Sequence, residues 1–230
     1  MRALKALSVL LSYPTEDLRD AIPEIRAVLA ASPLLGPEQR AALDPLLARL
    51  ASDEVIASQE AYVLLFDRSR TLSLNLFEHV HGESRDRGSA MVDLLETYRA
   101  AGYDLDGSEL PDHLPVLLEF LATQERKAAR ETLADAGAIL VALAERLTRR
   151  GSDYAPALAA LVAFARASAD SEGAGELLAQ PLDDPEDLVA LDKVYEEAAV
   201  TFGPDPDAGC PVTREMLARM AGPGPAQAAE

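Results

Sequence analysis

Apolar residues along this chain recur mainly at steps of three and four, the spacing that puts side chains on one face of a helix. Leu4, Leu7, Leu10 and Leu11 form the first such face, and Pro14 ends it. Thr15 is placed to cap a second helix, with Glu16 and Asp17 favourable in its first turn. Pro23 is expected to split this region, leaving Ile25, Val28 and Leu29 to a separate short helix. Leu43, Leu46, Leu47 and Leu50 follow a turn at Pro33, Gly36 and Pro37, with Pro45 marking a break or a later start. Asp53 reads as the opening of a helix that leads into Phe66.

Met91, Leu94, Leu95 and Tyr98 share a face that Gly102 closes, and Asp112 stands where it can cap a helix carrying Leu114, Leu117, Leu118 and Leu121. Pro115 falls in that helix's first turn, where no backbone donor is needed. Leu133, Ala136, Leu140, Leu143 and Leu147 give the clearest seam, stopped by Gly151. Ser152 can cap the next helix, with Leu158, Leu161, Val162 and Ala165. Residues 168–187, rich in Gly, Ser, Asp and Pro, read as a flexible connection. Leu188, Leu191, Tyr195, Ala198 and Phe202 repeat the helical spacing, and Val212 to Met220 reads as a short terminal helix. Leu72, Leu74 and Leu76 alternate, but Leu72, Leu76, Phe77 and Val80 fit a helix equally well. The expectation is an all-α, single-domain bundle of roughly eight to ten helices over 1–221, with 222–230 a disordered tail.

Charge narrows the partners. The net charge is −18, which disfavours nucleic acid and anionic membrane surfaces and suits a basic peptide or protein patch. Residues 1–100 carry 11 Lys and Arg against 15 Asp and Glu, whereas residues 101–230 carry 10 against 24, so the acidity lies towards the C-terminal half. A solvated acidic surface explains this as well as partner steering does. Cys210 is the single cysteine, which leaves neither a disulfide framework nor a thiolate metal cluster. The N-terminal apolar run is short and is followed by Pro14, Glu16 and Asp17 in place of a small-residue cleavage site. No apolar segment reaches the roughly 18 residues that span a bilayer. These features read as a cytoplasmic protein.

The densest mixture of polar and apolar groups lies between Tyr62 and Ala90, with two of the three histidines. Glu78, His79, His81, Glu83 and Asp86 are ligand types for a divalent metal such as zinc. Rings two apart diverge on a helix, and Leu76–Gly82 reads as helix, so a shared metal at His79 and His81, and a hydrolase built on it, is the weaker reading. Glycine-rich phosphate loops and a Gly-x-Ser-x-Gly elbow are absent, and Cys210 has nothing beside it to lower its pKa. Asp112 and His113 form an acid–base pair in principle, though a cap and its neighbour explain them better. The charges at Asp67, Arg68, Arg70, Glu78, Glu83, Arg85, Asp86 and Arg87 are equally readable as ion pairs that fix helix ends.

The run from Phe66 (FDRSR) through His79 (HVHGESRD), together with LLSYPTEDL near the start and ELPDHLPVLLEFLA at 109–122, resembles the delta-subunit-like assembly chaperones of respiratory nitrate reductase. Asn75 is a departure, standing where that family often has His. The resemblance implies a non-enzymatic, cofactor-free helical chaperone. It implies binding of the catalytic alpha subunit and its N-terminal leader-like segment, and support of molybdenum-cofactor insertion before membrane docking. A chaperone for another molybdoenzyme, of the dimethyl-sulfoxide reductase type, is the alternative. On that basis the expected peptide groove lies between the helices around Tyr62–Val80 and Asp112–Leu121. Leu65, Phe66, Phe77 and Leu117 would supply apolar contact, and Asp67, Glu83, Asp86 and Asp112 would accept peptide arginines. His79, His81 and His113 would make affinity depend on pH, and Arg68, Arg70, Arg85 and Arg87 would lock the scaffold.

Overall fold

Eleven α-helices, one π turn and one 3₁₀ turn make up the described part of the computed structural model, which covers residues 1–81, 85–107 and 109–184. All of these residues belong to one unit. The side chains of residues 81, 85, 86 and 172 lie outside the description. The expected elements beyond residue 184 likewise lie outside it, as do Glu83, Cys210 and the 222–230 tail. Among the described residues no strand forms beyond a single bridge, so the fold is all-α.

Helix α1 (Arg2–Leu10) buries Leu4, Leu7 and Leu10 along the face its spacing defines. It packs on α2 (Glu16–Ala31) and on α7 (Leu114–Thr123). Ser8 Oγ donates to Pro115 O at 2.7 Å inside this α1–α7 contact. The cap of α2 is the expected one, with Leu18 N donating to Thr15 Oγ1 at 3.1 Å. Both internal prolines differ from expectation. Pro23 lies within an unbroken α2, and Pro45 within an unbroken α3 (Pro37–Ser52). A proline removes one backbone bond and bends the helix locally. Here Ile22 and Ile25 on one helix, and Leu43 and Leu46 on the other, are buried on either side of it, and that burial holds the helices continuous.

Asp53 closes α3 in place of opening the next helix, and α4 (Val55–Tyr62) starts after Glu54. Beyond α5 (Glu78–His81) and α6 (Arg85–Ala100), Gly102 takes φ +84 and Tyr103 N donates back to Tyr98 O at 3.0 Å. Gly151 stops its helix in the same left-handed way, at φ +64, with Ser152 N on Leu147 O. The clearest seam in the sequence proves to be two helices, α8 (Arg126–Asp135) and α9 (Gly137–Arg149), meeting at Ala136. The break falls at a glycine with a packing reason: a Cβ on Gly137 would stand 2.9 Å from the Cβ of Ala167.

Helix α9 lies at the centre, against α10 (Ala155–Ala165) on one side and α11 (Glu172–Ala179) on another. Helix α10 starts after Tyr154, and Ser152 Oγ accepts from Tyr154 N without capping the helix itself. Helix α11 falls inside the stretch expected to be a flexible connection. Its Ser171 cap and its buried Ala174 and Leu177 hold it on α9 despite the Gly-rich sequence. Eleven helices thus lie among the described residues alone, where eight to ten were expected over 1–221.

Candidate functional site

The segment from Val63 to Phe77 departs from regular α-helix, and three groups of contacts hold it and the start of α5. First, α4 widens into a π turn over Val63–Asp67, with Arg68 N donating to Val63 O at 2.9 Å. The extra residue in that turn sends Phe66 inward. Its ring meets Tyr62 at 4.9 Å and Tyr154 at 5.1 Å, and Tyr62 Oη donates to Leu11 O at 2.9 Å. Burial pushes the Tyr62 hydroxyl far above its ordinary pKa, and the nearby Asp67 charge adds to the effect. Leu64 is left 37% exposed and Leu65 half-buried.

Second, Asp112 stitches this segment to the start of α7. Asn75 and His113 form an antiparallel bridge, with Leu114 N on Leu74 O at 2.8 Å and Leu76 N on Asp112 O at 3.1 Å. Phe77 N donates to the Asp112 carboxylate at 3.0 Å. That carboxylate has no exposed surface, and its Oδ1 has no hydrogen-bond partner among the described residues. His113 Nδ1 lies 3.2 Å from Asn75 Oδ1, and His79 Nε2 lies 2.8 Å from Ser73 O. Burial lowers the pKa of both imidazoles. It prevails over the Ser73 carbonyl at His79, and over Glu109 and Asp112 at His113. Tyr98 Oη, donating to Pro111 O at 2.8 Å, braces the same loop from α6.

Third, Asp183 clamps the 3₁₀ turn Arg70–Leu72 from the far end of the described chain. Its carboxylate accepts from Ser69 Oγ at 2.7 Å, Thr71 N at 3.2 Å and Arg150 Nη2 at 3.1 Å, and also from Thr71 Oγ1. Burial alone would raise this carboxyl's pKa. The donors from Thr71, Ser69 and Arg150 together outweigh burial and lower it. Behind the turn, Arg146 is 1% exposed and donates to Thr71 O at 2.7 Å and to Leu177 O at 2.5 Å. One guanidinium thus joins the central segment to the C-terminal end of α11.

These contacts redistribute the expected site. Phe66, Leu117 and Asp112 were expected to face a peptide groove, but all three are buried in the core, where apolar packing or backbone donors engage them. Asp112 does not cap α7 either. His113 is the cap position, and the Asp112 side chain turns to Phe77 N because that donor lies across the bridge. Leu65, Phe77, His79 and His113 are half-buried, and Asp67 is exposed. Partial loss of water, with Glu109 nearby, still lifts the Asp67 carboxyl above its ordinary range. Among the expected scaffold cations, Arg87 pairs with Glu78 at 3.0 Å, Arg68 is half-buried and Arg70 is exposed. The side chains of His81, Asp86 and Arg85, with Glu83, lie outside the description, so the expected His79–His81 pair is not described as a unit. No group of three or more His, Cys, Asp or Glu side chains suited to a metal occurs among the described residues.

Sequence reading missed Ser69, Thr71, Arg146, Arg150 and Asp183. Arg146 carried a signal, since it stands beside Leu147 and three residues after Leu143 on an otherwise apolar seam. Asp183 carried none, lying 114 residues from Ser69.

Residues 16–160 match the family model described as nitrate reductase delta subunit. The chain is 42% identical over 222 residues to the nitrate reductase molybdenum cofactor assembly chaperone NarJ of Escherichia coli K12, covering 96% of this chain and 94% of NarJ. It is 36% identical over 211 residues to the probable assembly chaperone NarW of the same organism, covering 91% of this chain and 87% of NarW. It is also 36% identical over 159 residues to a probable NarJ of Bacillus subtilis 168, covering 69% of this chain and 85% of that protein. The chain belongs to the nitrate reductase delta subunit family. Among the described residues no helix is long and apolar enough to cross a membrane.

Proposed function

We propose that this protein is a system-specific assembly chaperone for a respiratory nitrate reductase and works by binding, without catalysis. It holds the apo catalytic alpha subunit in the cytoplasm, including its N-terminal leader-like segment, and supports molybdenum-cofactor insertion before that subunit docks on its membrane partner. Near-complete alignment with a protein named for this role carries the reading. The structure adds a surface suited to it. Ala61, Leu64 and Leu65 form an open apolar depression on the outer side of α4 and the π turn, rimmed by Arg150, Asp183 and Asp184. An amphipathic helix with a basic flank is the partner such a surface favours: Leu64 and Leu65 offer apolar contact, while two acids against one arginine leave the rim negative. Of the expected contacts, Leu65 lines this depression, and Asp67, Phe77, His79 and His113 keep some access to solvent.

Calorimetric titration with a peptide matching the N-terminal segment of the cognate alpha subunit, against a scrambled peptide of equal charge, tests it. Selective, saturable binding that weakens about tenfold in Leu64→Ser is expected, roughly one buried apolar side chain's contribution. Equal binding of both peptides would reduce the interaction to nonspecific attraction. Selective binding unaffected by Leu64→Ser would move the peptide to another face.

A further inference from the structure

In a protein of net charge −18, one carboxylate is held as a bound anion would be. Two hydroxyls, one backbone N–H and one guanidinium converge on Asp183. The backbone that carries these donors does not depend on Asp183 for its position. Arg150 closes α9, with its N–H on Arg146 O at 3.1 Å. Ser69 is 1% exposed and is bonded in turn by Leu72 N, and Arg146 fixes the Thr71 carbonyl from behind. A turn set by its own surroundings keeps the Thr71 N–H and the two hydroxyl-bearing residues beside Arg150 in the absence of the anion.

The ligand is carried on an irregular strap, whose Asp183 carbonyl also accepts from Arg150 Nη2 at 2.5 Å. Residues 181–184 have no helix or turn of their own, and Leu182 is 37% exposed. The cradle also has an approach from solvent, because Arg150 and Asp183 line the same open depression as Ala61, Leu64 and Leu65.

We propose that Ser69, Thr71 and Arg150 form an oxyanion-binding cradle, occupied here in cis by Asp183, which receives a carboxylate or phosphate group from a ligand when residues 181–184 lift away. Asp183 is therefore an internal competitor that sets a threshold. An external anion must exceed the effective concentration of a tethered carboxylate, so a lone small anion does not displace it from the wild-type protein. Departure of the strap also removes Asp184 from the rim and reduces the negative charge facing the incoming group. The cradle opens on the face proposed above for the peptide, but its test uses no client, so it can fail without touching that reading.

The experiment compares the wild-type chain, Asp183→Ala and Asp183→Ala/Arg150→Ala in chloride, acetate and inorganic phosphate at equal ionic strength. Melting midpoint and hydrogen exchange at the Thr71 amide are read in each. Acetate or phosphate is expected to raise the midpoint of Asp183→Ala by about 3 °C beyond any rise in the other two proteins. The same anion is expected to slow Thr71 exchange about tenfold. A response to acetate alone identifies a carboxylate cradle, one to phosphate alone a phosphate cradle, and one to both an oxyanion site of either kind. Equal responses in all three proteins would overturn the proposal, since general salt effects act on every variant. Should Asp183→Ala fold poorly in chloride, its refolding yield replaces the midpoint. A higher yield in acetate or phosphate than in chloride supports the cradle, and equal yields overturn it.

Discussion

Asp112 and Asp183 grip the same short segment from opposite ends, yet their surroundings differ in kind. Asp112 has no exposed surface and reaches a backbone donor across a bridge that its own carbonyl helps to form. Asp183 is about a third exposed at its side chain and engages hydroxyls and a cation on elements that are already placed. The first carboxylate belongs to the fold's construction, and the second is laid on a finished surface. Removing a buried acceptor costs the full desolvation of what it served, whereas removing a rim acceptor lets water take its place.

The sharpest break of this comparison is Asp112→Ala, expected to destabilise by about 3 kcal/mol in urea unfolding, with Asp112→Asn within about 1 kcal/mol of wild type. Asparagine keeps an oxygen for Phe77 N and removes a charge whose Oδ1 has no partner among the described residues. If Ala and Asn cost the same, the Phe77 bond is not what the side chain provides. Arg146→Met comes next, at about 2 kcal/mol, because it strips donors from Thr71 O and Leu177 O while keeping the apolar stem. Its effect on hydrogen exchange should reach both the 3₁₀ turn and α11. Asp183→Asn is expected to cost no more than about 1 kcal/mol and to raise exchange only near residues 69–71 and 181–184. A global loss of protection would place Asp183 in the same class as Asp112.

A dependence on pH follows from the Asp112 end alone. Burial holds His79 and His113 below the ordinary 6.5, so the folded state favours neutral rings. As pH falls through 6.5 the unfolded chain takes up protons first, and stability declines from its full value above that point towards the lower folded values. Asp183 contributes no change there, since its carboxyl lies below the ordinary 3.8. Unfolding measured at pH 8 and pH 5.5 should show a drop that is smaller in His79→Gln. An unchanged drop would remove His79 from the account. The smallest expected effect is at Lys5, which pairs with Glu119 between α1 and α7 on exposed surface, where Lys5→Ala should cost below about 0.5 kcal/mol.

What the sequence disclosed follows the same division. Seams such as Leu4–Leu7–Leu10 and Leu140–Leu143–Leu147 were readable because spacing reports burial directly. Pro23 and Pro45 misled because a local cost says nothing of the packing that overrides it. Helix α11 escaped notice because a cap and two buried residues, Ala174 and Leu177, suffice to hold eight residues on a neighbour. Composition drew the eye correctly to the central stretch, where the charged and histidine-rich text had to find partners. It misassigned Phe66 and Asp112 because nothing in a linear text tells an acid facing solvent from one turned onto a distant backbone. The Asp183 clamp needed three dimensions altogether.

The π turn at Val63–Asp67 has a consequence for descent. A π turn is a helix carrying one residue more than its hydrogen bonding needs, and removing that residue restores ordinary winding. Each residue advances a helix by about 100°. A single deletion here would therefore restore regular winding and change which side chains of the turn itself face inward, while leaving the composition almost intact. The ring of Phe66 would lose Tyr154, and Leu64 would no longer face outward. Substitutions can drift through this stretch one at a time, but its length cannot, so insertions and deletions should be rarer between Tyr62 and Leu72 than at the turn after α2.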